Sequence, residues 1–405
     1  MAQGADANST MQAVGRAAPE QPMRADEPQR GRLRVLHVLN ELMPSGAETM
    51  LVLAGPHFTA AGVDCDILAK GRSRGPFAPQ LQASGYGIHH LPLRTAALLG
   101  FAWRFVRLCR SNRYQAVHIH TEHANILMAM LTRYAGITVI VRTVHNVFPF
   151  DGWLRRRRIG ERALMRLLGV RQVSIGPSVR ANEAERFRNP TRSIGNWFDP
   201  QRIAPPSPEQ RRAARAVLGI APEDFVLISV GNCSRIKNHG AVIAAMAAIG
   251  TRIPLRYLHI GTESAEQDER AQAQSLGVTG VTFLGPQREL ASYFHAADLY
   301  IMPSLHEGFS ISALEGLAAG LPGVLCDVPG LRDLKPLVRG VVWCSPSAES
   351  LAQAIQDAYA QRVSHARPGA ANRRRLSTMF SPARNVRRYI ALYQRRLGAP
   401  SPVKQ

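Results

Sequence analysis

Short apolar runs alternate along the chain with longer amphipathic segments. The first run, at residues 33–39 (LRVLHVL), stops before a small-residue turn, and a helical pattern follows over residues 47–59. The same order recurs as a run at 117–120, an apolar helical pattern at 124–134 and a second run at 138–141. Strands that alternate with helices predict a parallel sheet with crossover connections.

A proline-rich stretch near the middle of the chain interrupts this alternation. Proline lacks a backbone donor and disfavours regular structure, and four prolines fall within residues 200–208. Beyond it, strand-like runs restart at residues 225–230, 255–260, 281–284 and 299–302. We therefore predict an α/β protein with two Rossmann-like, doubly wound parallel-sheet domains that face a central cleft.

The same pattern predicts the domain boundaries. Residues 1–31 are rich in Ala, Gln, Pro and Glu and carry no apolar run, so we expect a disordered tail there. The first domain is predicted over residues 32–196 and the inter-domain linker over residues 197–222. The second domain is predicted over residues 223–376, and a closing helix over residues 377–400.

Composition narrows the class of protein. The chain has 405 residues, of which 45% are hydrophobic, enough for two ordinary globular domains. Its net charge of +21 predicts attraction to phosphate-rich ligands, nucleic acid or anionic membrane. No apolar run is long enough to predict a membrane span. The five cysteines are scattered without a CxxC pair, which favours a reducing cytoplasm over a disulfide framework or a zinc cage.

The most specific chemistry lies at residues 303–315 (PSLHEGFSISALE), which follow a predicted strand and enter a helix. Glu307 lies in the loop, Glu315 lies on the helix, and Gly308 lets backbone approach a ligand without an intervening side chain. Amides from Gly308 to Ile311 could bind an anion, whereas the carboxylates suit hydroxyl groups. The segment fits a ligand that combines phosphate with sugar. The plainer alternative is an ordinary helix N-cap followed by a solvated glutamate.

A basic loop, residues 230–239 (VGNCSRIKNH), follows the first strand of the second domain. Arg235 and Lys237 can neutralise a diphosphate there through charge-assisted hydrogen bonds. Lys237 is one of only four lysines in the chain. A solvated surface lysine is the plainer alternative.

Four histidines gather in the first domain: His118, His120, His123 and His145. His118 and His120 alternate within a predicted strand, so they share one face of the sheet. Carboxylate neighbours are limited to Glu122, so packed or cleft-lining histidines are favoured over a metal site.

Residues 151–192 carry eleven arginines against four acidic residues. Trp153 precedes the run Arg155, Arg156, Arg157 and Arg158, and apolar residues follow at helical spacing. Such a basic amphipathic helix suits an anionic membrane surface, and a solvated arginine-rich face is the alternative. Aromatic residues do not interleave with the basic run as in single-strand binders, so no nucleic acid partner is expected.

Several of these segments resemble the motifs of family 4 retaining glycosyltransferases, which have the GT-B fold. Residues 303–322 resemble the family's signature over its whole length. Residues 45–48 (SGAE) are similar to its glycine-rich GGAE loop, with serine for the first glycine. Residues 195–199 (GNWFD) resemble its inter-domain NGVD element, from which Trp197 departs. The resemblance extends from about residue 33 to residue 397.

Two further motifs concern the reaction itself. Residues 142–146 (RTVHN) resemble the T-x-H motif, whose histidine faces the donor sugar across the cleft. Residues 231–237 resemble G-R-x-x-x-x-K, with Asn232 where the family has arginine, and Arg235 is the residue that could compensate.

The resemblance implies a GT-B architecture with an acceptor-binding first domain, a nucleotide-sugar-binding second domain and a last helix that crosses back to the first. It assigns His145 and Glu307 to the reaction centre and Glu315 to the nucleotide ribose. It assigns donor binding to these residues: Gly46, Asn232, Arg235, Lys237, Gly308, Phe309, Ser310, Ile311 and Glu315.

The expected reaction moves a hexosyl or N-acetylhexosaminyl group, with retention, from a nucleotide-diphosphate sugar to a glycan or polyprenyl-diphosphate-linked acceptor. The resemblance implies polysaccharide or glycolipid biosynthesis in the cytoplasm, peripheral on the inner face of the cytoplasmic membrane, with no metal and no cofactor. Two alternatives remain. One is a phosphorylase-like or epimerase-like use of the scaffold, against which the missing pyridoxal-phosphate lysine context argues. The other is a catalytically idle scaffold that binds membrane or polyanions.

Overall fold

The computed structural model describes residues 32–361 and 369–394. The predicted tail at residues 1–31 and the end of the predicted closing helix, residues 395–400, lie outside that range. Two parallel sheets make up the framework of the described chain, and both belong to one compact unit that begins at Leu33.

The first sheet has seven parallel strands. They are β1 (Leu33–Leu39), β2 (Val63–Ala69), β3 (Gly87–His90), β4 (Ala116–Ile119), β5 (Val139–Val144), β6 (Arg171–Ser174) and β7 (Arg192–Ser193). Their order is β3-β2-β1-β4-β5-β6-β7. The direction of winding changes between β1 and β4, so the ligand crevice of this domain is expected at the carboxyl ends of those strands.

Helices cover both faces of the first sheet. They are α1 (Gly46–Ala60), α2 (Ala78–Ala83), α3 (Leu98–Ser111), α4 (Asn125–Tyr134), α5 (Gly152–Leu167) and α6 (Pro177–Phe187). On one face α3, α4 and α5 pack through Phe105, Met128 and Met165 against Leu36 and its neighbours. The opposite face of β1 packs against α1 and the last helix of the described chain.

The second sheet has six parallel strands. They are β8 (Phe225–Val230), β9 (Leu255–Ile260), β10 (Val281–Phe283), β11 (Leu299–Met302), β12 (Gly323–Cys326) and β13 (Val341–Cys344), in the order β10-β9-β8-β11-β12-β13. The remaining helices are α7 (Pro208–Val217), α8 (His239–Ile249), α9 (Asp268–Ser275), α10 (Ala291–Ala296), α11 (Ile311–Ala318), α12 (Ala348–Gln361), α13 (Gly369–Met379) and α14 (Pro382–Gln394). The crevice of the second domain is expected at the carboxyl ends of β8 and β11, because the direction of winding changes between these two strands.

The helix α14 returns from the second domain to the first sheet. Its Tyr393 hydroxyl lies 2.7 Å from Nδ1 of His118, and its Tyr389 hydroxyl lies 3.0 Å from Oγ1 of Thr143. Trp197, the residue that departs from the family's inter-domain element, is buried, and its indole N–H donates to the carbonyl of Met50. The tryptophan therefore fastens the inter-domain segment to α1.

The alternation predicted from the apolar pattern is confirmed, since β1, β8, β9 and β11 begin and end with the predicted runs. Residues 194–207, which include most of the proline-rich stretch, form neither helix nor strand. Within the described ranges, no helix combines the length and apolar character that crossing a membrane requires.

Candidate functional site

Two loops from opposite sheets meet with their backbones in contact. A Cβ atom at Gly308, in the loop after β11, would lie 2.0 Å from the carbonyl oxygen of His145 and 3.0 Å from Cα of Asn146. Atoms cannot approach so closely, so only glycine allows the two loops to meet. The structure thus brings Gly308 and His145, which are far apart in the sequence, to one point between the domains.

An ion pair lies at the crevice of the second sheet. Nζ of Lys237 donates to Oε1 of Glu307 at 2.7 Å, and the Ser304 hydroxyl donates to the same oxygen at 2.7 Å. The amide of Leu305 donates to the carbonyl of Ile236, which fastens the loop after β11 to the loop after β8. The ammonium group of Lys237 and the carboxylate of Glu307 therefore lie side by side at the carboxyl ends of β8 and β11.

Two asparagines hold the basic loop in place, and of these the sequence indicated Asn232 but not Asn238. Asn238 has a φ of +57°, and Nδ2 of its side chain donates to the carbonyls of Pro303 and Pro346. Asn232, which replaces the family's arginine, accepts a hydrogen bond from the amide of Thr262 at 3.0 Å. Arg235 is exposed. Asn232 therefore joins the loop after β8 to the loop after β9.

The helix α11 begins at the meeting point of the loops. Ser310 is its N-cap and accepts a hydrogen bond from the amide of Ala313. Phe309 is buried with its ring centroid 5.0 Å from that of Phe380, and its carbonyl accepts from the side chain of Asn196. The other two amides of the first turn, those of Ile311 and Ser312, lie at the same end of α11, where the helix dipole favours an anion.

Glu315 lies one turn into α11 and is only partly exposed. Burial raises its pKa to about 7; the charge of Arg202 acts in the lowering direction and that of Asp199 in the raising direction. At neutral pH this carboxyl group is therefore balanced between its proton-donating and its proton-accepting form.

The loop after β1 contributes the first-domain side of the cleft. Ser45 caps α1 by accepting from the amide of Ala47, and its hydroxyl donates to Glu48. A Cβ atom at Gly46 would lie 3.5 Å from Cδ1 of Ile311, so Gly46 lies beside the start of α11. Burial raises the pKa of Glu48. The first turns of α1 and α11 are thus neighbours across the cleft.

A row of three imidazoles runs from the cleft into the first sheet. Nε2 of His145 lies 3.0 Å from Nδ1 of His120, and Nε2 of His120 lies 3.0 Å from Nδ1 of His37. Burial lowers the pKa of His145 to about 4, with the charge of Arg142 adding to the effect, and lowers that of His37 to about 3. The row is therefore neutral at physiological pH. The sequence indicated His120 and His145 but not His37.

His118 completes a compact group with His37 and His120, whose ring nitrogens lie within 4.8 Å of one another. Both nitrogens of His118 face hydroxyl groups, and both nitrogens of His120 face other imidazoles. Of the six ring nitrogens of these three histidines, Nε2 of His37 is the one that is buried without a hydrogen-bond partner. Five of the six ring nitrogens from which a metal ion could take one ligand per histidine therefore already lie at hydrogen-bond distance from other groups. His123 is exposed.

The basic helix α5 was predicted to expose four consecutive arginines, and the structure differs from this prediction at one of them. Arg155, Arg156 and Arg157 are exposed, whereas Arg158 is buried and pairs with Glu161. The prediction that Arg158 faces a membrane is therefore wrong. The reason is helical phase, because positions 158, 162 and 165 face the core.

Buried charges surround this inner face of α5. Arg162 is fully buried and donates to Glu183 at 2.8 Å and to Glu122 at 3.1 Å, and Arg142 also pairs with Glu122. Part of the arginine-rich segment therefore builds the interior of the first domain rather than a surface.

A further contact fastens the domains together. The amide and the hydroxyl of Ser178, at the start of α6, donate to Asp333 at 2.9 and 2.6 Å. Asp333 belongs to the segment between β12 and β13. We call this contact the inter-domain latch. Neither residue carries a sequence pattern that would have indicated it.

Family models match both halves of the chain. The model described as Glycosyltransferase Family 4 matches residues 44–231, and the one described as Glycosyl transferases group 1 matches residues 210–375.

Curated relatives and solved structures agree with this match. The D-inositol 3-phosphate glycosyltransferase of Mycobacterium marinum is 34% identical over 285 residues, which are 65% of this chain and 58% of that protein. The Bacillus subtilis protein EpsF is 26% identical over 309 residues, 73% of this chain and 79% of that protein.

Among solved structures, Anabaena HepE in complex with UDP and glucose superposes with a TM-score of 0.76 at 18% identity, covering 89% of this chain and 99% of its own. A glycosyltransferase of Rickettsia africae gives the same TM-score at 14% identity, covering 90% and 98%. At these identities the likeness concerns the fold.

Proposed function

Because the chain belongs to the family 4 glycosyltransferases of GT-B type, we propose that it transfers a sugar from a nucleotide-diphosphate sugar with retention at the anomeric carbon. The observation that carries this proposal is the Lys237–Glu307 ion pair at the crevice of the second sheet. Glu307 lies in the loop that meets His145 through Gly308. We propose that this cation, the carboxylates and the neutral imidazole of His145 surround one ligand position.

The donor is proposed to bind with its diphosphate against Lys237 and the first-turn amides of α11. Phosphate oxygens compete with Glu307 for the ammonium group, which frees the Glu307 carboxylate to accept hydrogen bonds from sugar hydroxyls. Glu315 would accept hydrogen bonds from ribose hydroxyls in its ionised form. The structure of Anabaena HepE holds UDP and glucose, which supports a nucleotide-sugar donor of this general kind.

His145 is proposed to line the reaction centre. Its ring is neutral because burial lowers its pKa to about 4. It can therefore donate a hydrogen bond to a sugar hydroxyl without adding positive charge beside an anomeric carbon that is itself becoming positive. The leaving diphosphate would take the acceptor proton. Lys237 and the α11 amides would supply the positive field for that diphosphate, so we propose that no metal is required.

The acceptor is proposed to be a glycan or a polyprenyl-diphosphate-linked sugar, and the transferred group a hexosyl or N-acetylhexosaminyl group. The family membership and the basic first domain support this proposal. The corresponding location is the cytoplasm, on the inner face of the cytoplasmic membrane, in polysaccharide or glycolipid biosynthesis.

The first test is thermal unfolding with a panel of nucleotide diphosphates and their sugars. A ligand that binds the native state raises the free energy of unfolding, by about 2.7 kcal/mol at a hundredfold excess over Kd, and therefore raises the unfolding temperature. We expect one nucleotide to stabilise the protein, Lys237→Ala to lose that effect, and Lys335→Ala to keep it. Lys335 is a matched control because it also pairs with a single carboxylate, Asp327.

The second test is turnover. Glu307→Gln is expected to retain the fold and lose sugar transfer, and the anomeric configuration of the product should match that of the donor by proton NMR. Stabilisation by none of the nucleotides, together with no transfer, would favour the idle scaffold instead.

A further inference from the structure

One outer surface of the first domain carries aromatic side chains that the core does not use. The helices α3, α4 and α5 each present one of them to solvent: Trp103 is 62% exposed, Tyr134 is 72% exposed and Trp153 is 73% exposed. Large exposed aromatics on three successive helices are unusual, because soluble proteins rarely expose connected apolar patches. We call this surface the three-helix face.

Each of these aromatic rings lies under an arginine. The guanidinium carbons of Arg107, Arg110 and Arg157 lie 5.2, 5.4 and 5.8 Å from the ring centroids of Trp103, Tyr134 and Trp153, respectively. Pairs of this kind combine an apolar body with a positively charged tip. That combination is typical of side chains at the boundary between hydrocarbon and water.

The three helices form one continuous layer. Arg110 of α3 donates to the carbonyl of Tyr134 of α4 at 2.9 Å, and Arg133 of α4 donates to the carbonyl of Leu168, just after α5, at 2.8 Å. All three helices cover the same side of the first sheet. Leu99 on α3 and Leu167 on α5 are 87% and 86% exposed, so these helices also present aliphatic side chains to solvent.

The charge of this layer is one-sided. Glu161 is the one acidic residue in α3, α4 and α5, and it pairs with Arg157 and Arg158. Exposed arginines on these helices are Arg104, Arg107, Arg110, Arg155, Arg156, Arg157 and Arg166. The field of the face is therefore positive, and it attracts an anionic surface.

We propose that the three-helix face docks the protein onto an anionic phospholipid bilayer, with Trp103, Tyr134 and Trp153 entering the headgroup region and the arginines contacting lipid phosphates. Charge complementarity and the aromatic–arginine pairs together favour a bilayer. A single-stranded nucleic acid would need a groove with stacking platforms, whereas this face is built from the ridges of three helices. The face is wider than the predicted run at residues 155–158 and leaves Arg158 out.

The placement of the face suits a lipid-linked acceptor, and this step alone rests on the proposed function. Each of the three helices follows the carboxyl end of a strand of the first sheet, so their first turns lie at the cleft side. Gly152, which begins α5, follows His145 by one short loop. A docked bilayer would therefore lie beside the entrance of the cleft.

The experiment is co-sedimentation of the full chain with vesicles of phosphatidylglycerol mixed with phosphatidylcholine, and with vesicles of phosphatidylcholine alone. We expect binding to the anionic vesicles that weakens with salt. The double variant Arg104→Glu/Arg156→Glu should bind at least about tenfold more weakly. The matched control is Arg384→Glu/Arg387→Glu, which makes the same charge change on exposed positions of α14, over the opposite side of the sheet.

A second variant tests the aromatic part of the proposal. Trp103→Ser/Trp153→Ser should also bind anionic vesicles at least several-fold more weakly, and quenching of tryptophan fluorescence by brominated lipid should disappear. The other two tryptophans are Trp197, which is buried, and Trp343 in the second domain.

Three results would overturn the proposal. They are absence of binding to anionic vesicles at low salt, equal loss in the α14 control, and unchanged vesicle binding in the tryptophan variant. The last would identify a general polyanion surface, which retention on immobilised single-stranded DNA would show directly. None of these measurements needs sugar transfer, so a failure here is separate from a failure of the nucleotide tests.

Discussion

Nδ1 of His120 lies 3.0 Å from Nε2 of His145, and this contact ties the histidine at the cleft to the interior of the first sheet. His120 in turn contacts His37, whose Nε2 is buried without a partner in the described chain. A buried N–H without an acceptor is the rarer state in proteins, so Nε2 of His37 is assigned the lone pair. The Nδ1–H groups of His37 and His120 then donate along the row, and His145 carries its own proton on Nδ1.

The first prediction follows from this tautomer. His120→Ala removes the donor that holds Nε2 of His145, so His145 can adopt either tautomer. We expect turnover to fall by about 10- to 100-fold with little change in donor affinity, as when partners of a functional histidine are removed. Nitrogen NMR of the imidazoles should show a single His145 tautomer in the parent and a mixture in the variant.

The matched control is His123→Ala, which alters an exposed histidine of the same segment. If His120→Ala retains parental turnover, or if His145 is already a mixture of tautomers in the parent, the assignment of His120 as a positioning residue is wrong.

The hydrophobic pattern of the sequence predicted the strands and helices, but not which side chains from different strands come into contact. Strand alternation placed His118 and His120 on one face, and their ring centroids lie 4.0 Å apart. His37 joins them because β1 pairs with β4 in the register that sets His37 opposite His118. That register depends on sheet order and on packing beneath α14, neither of which a single strand encodes.

Helical phase explains the other difference. The count of arginines in α5 is visible in the sequence, but the side that each arginine takes depends on which turn packs against the sheet. Arg158 and Arg162 are buried and form ion pairs with Glu122 and Glu183. These two glutamates belong to two other segments of the chain. Contacts between distant segments, such as Gly308 with His145, have no local signal either.

The second prediction concerns Glu315, whose pKa is raised by burial from 4.5 to about 7. Between these values the folded protein holds a proton that the unfolded chain has released. The contribution of Glu315 to stability is therefore present in full below the unfolded pKa and is lost as the pH rises through about 7. Glu315→Gln should be more stable than the parent by at most ~3 kcal/mol at alkaline pH and equally stable in acid.

The pH dependence of nucleotide binding should also report the titration of Glu315. Ribose hydroxyls need the ionised carboxylate, so the affinity of the parent should weaken as the pH falls through about 7, by up to about tenfold per pH unit. Glu315→Gln should bind more weakly but lose this dependence. Calorimetry on both proteins separates the titration of Glu315 from that of the nucleotide. Parallel pH profiles in the two proteins would contradict the assignment to ribose.

The third prediction concerns Gly308. In Gly308→Ala the new methyl group would lie 2.0 Å from the carbonyl oxygen of His145, so the two loops must separate. We expect a loss of about 1–3 kcal/mol in unfolding free energy and at least a tenfold loss of turnover. The control is Gly160→Ala in α5, where a Cβ atom meets nothing within 4 Å. That change should instead stabilise the protein by up to about 1 kcal/mol. Wild-type turnover in Gly308→Ala would show that the loop contact is dispensable.

The fourth prediction concerns the inter-domain latch. Asp333 accepts from both the amide and the hydroxyl of Ser178, and Asp333→Ala removes both acceptors. The amide of Ser178 would then lose its acceptor, so we expect a loss of about 1–3 kcal/mol. We also expect the two domains to separate further on average, which small-angle scattering should detect as a larger radius of gyration. The KM for the donor should rise, because the cleft is less often closed.

The control for the latch lies in the same segment of the second domain. Asp327 pairs with Lys335 and Arg332, which are residues of its own domain. Asp327→Ala therefore removes a carboxylate of similar position without touching the first domain, and we expect the scattering profile and the KM to stay at the parental values. Only Asp333→Ala removes the contact with Ser178, so a difference between the two variants can be attributed to the inter-domain latch. If Asp327→Ala opens the molecule as much as Asp333→Ala does, domain closure depends on the segment as a whole rather than on Ser178 and Asp333.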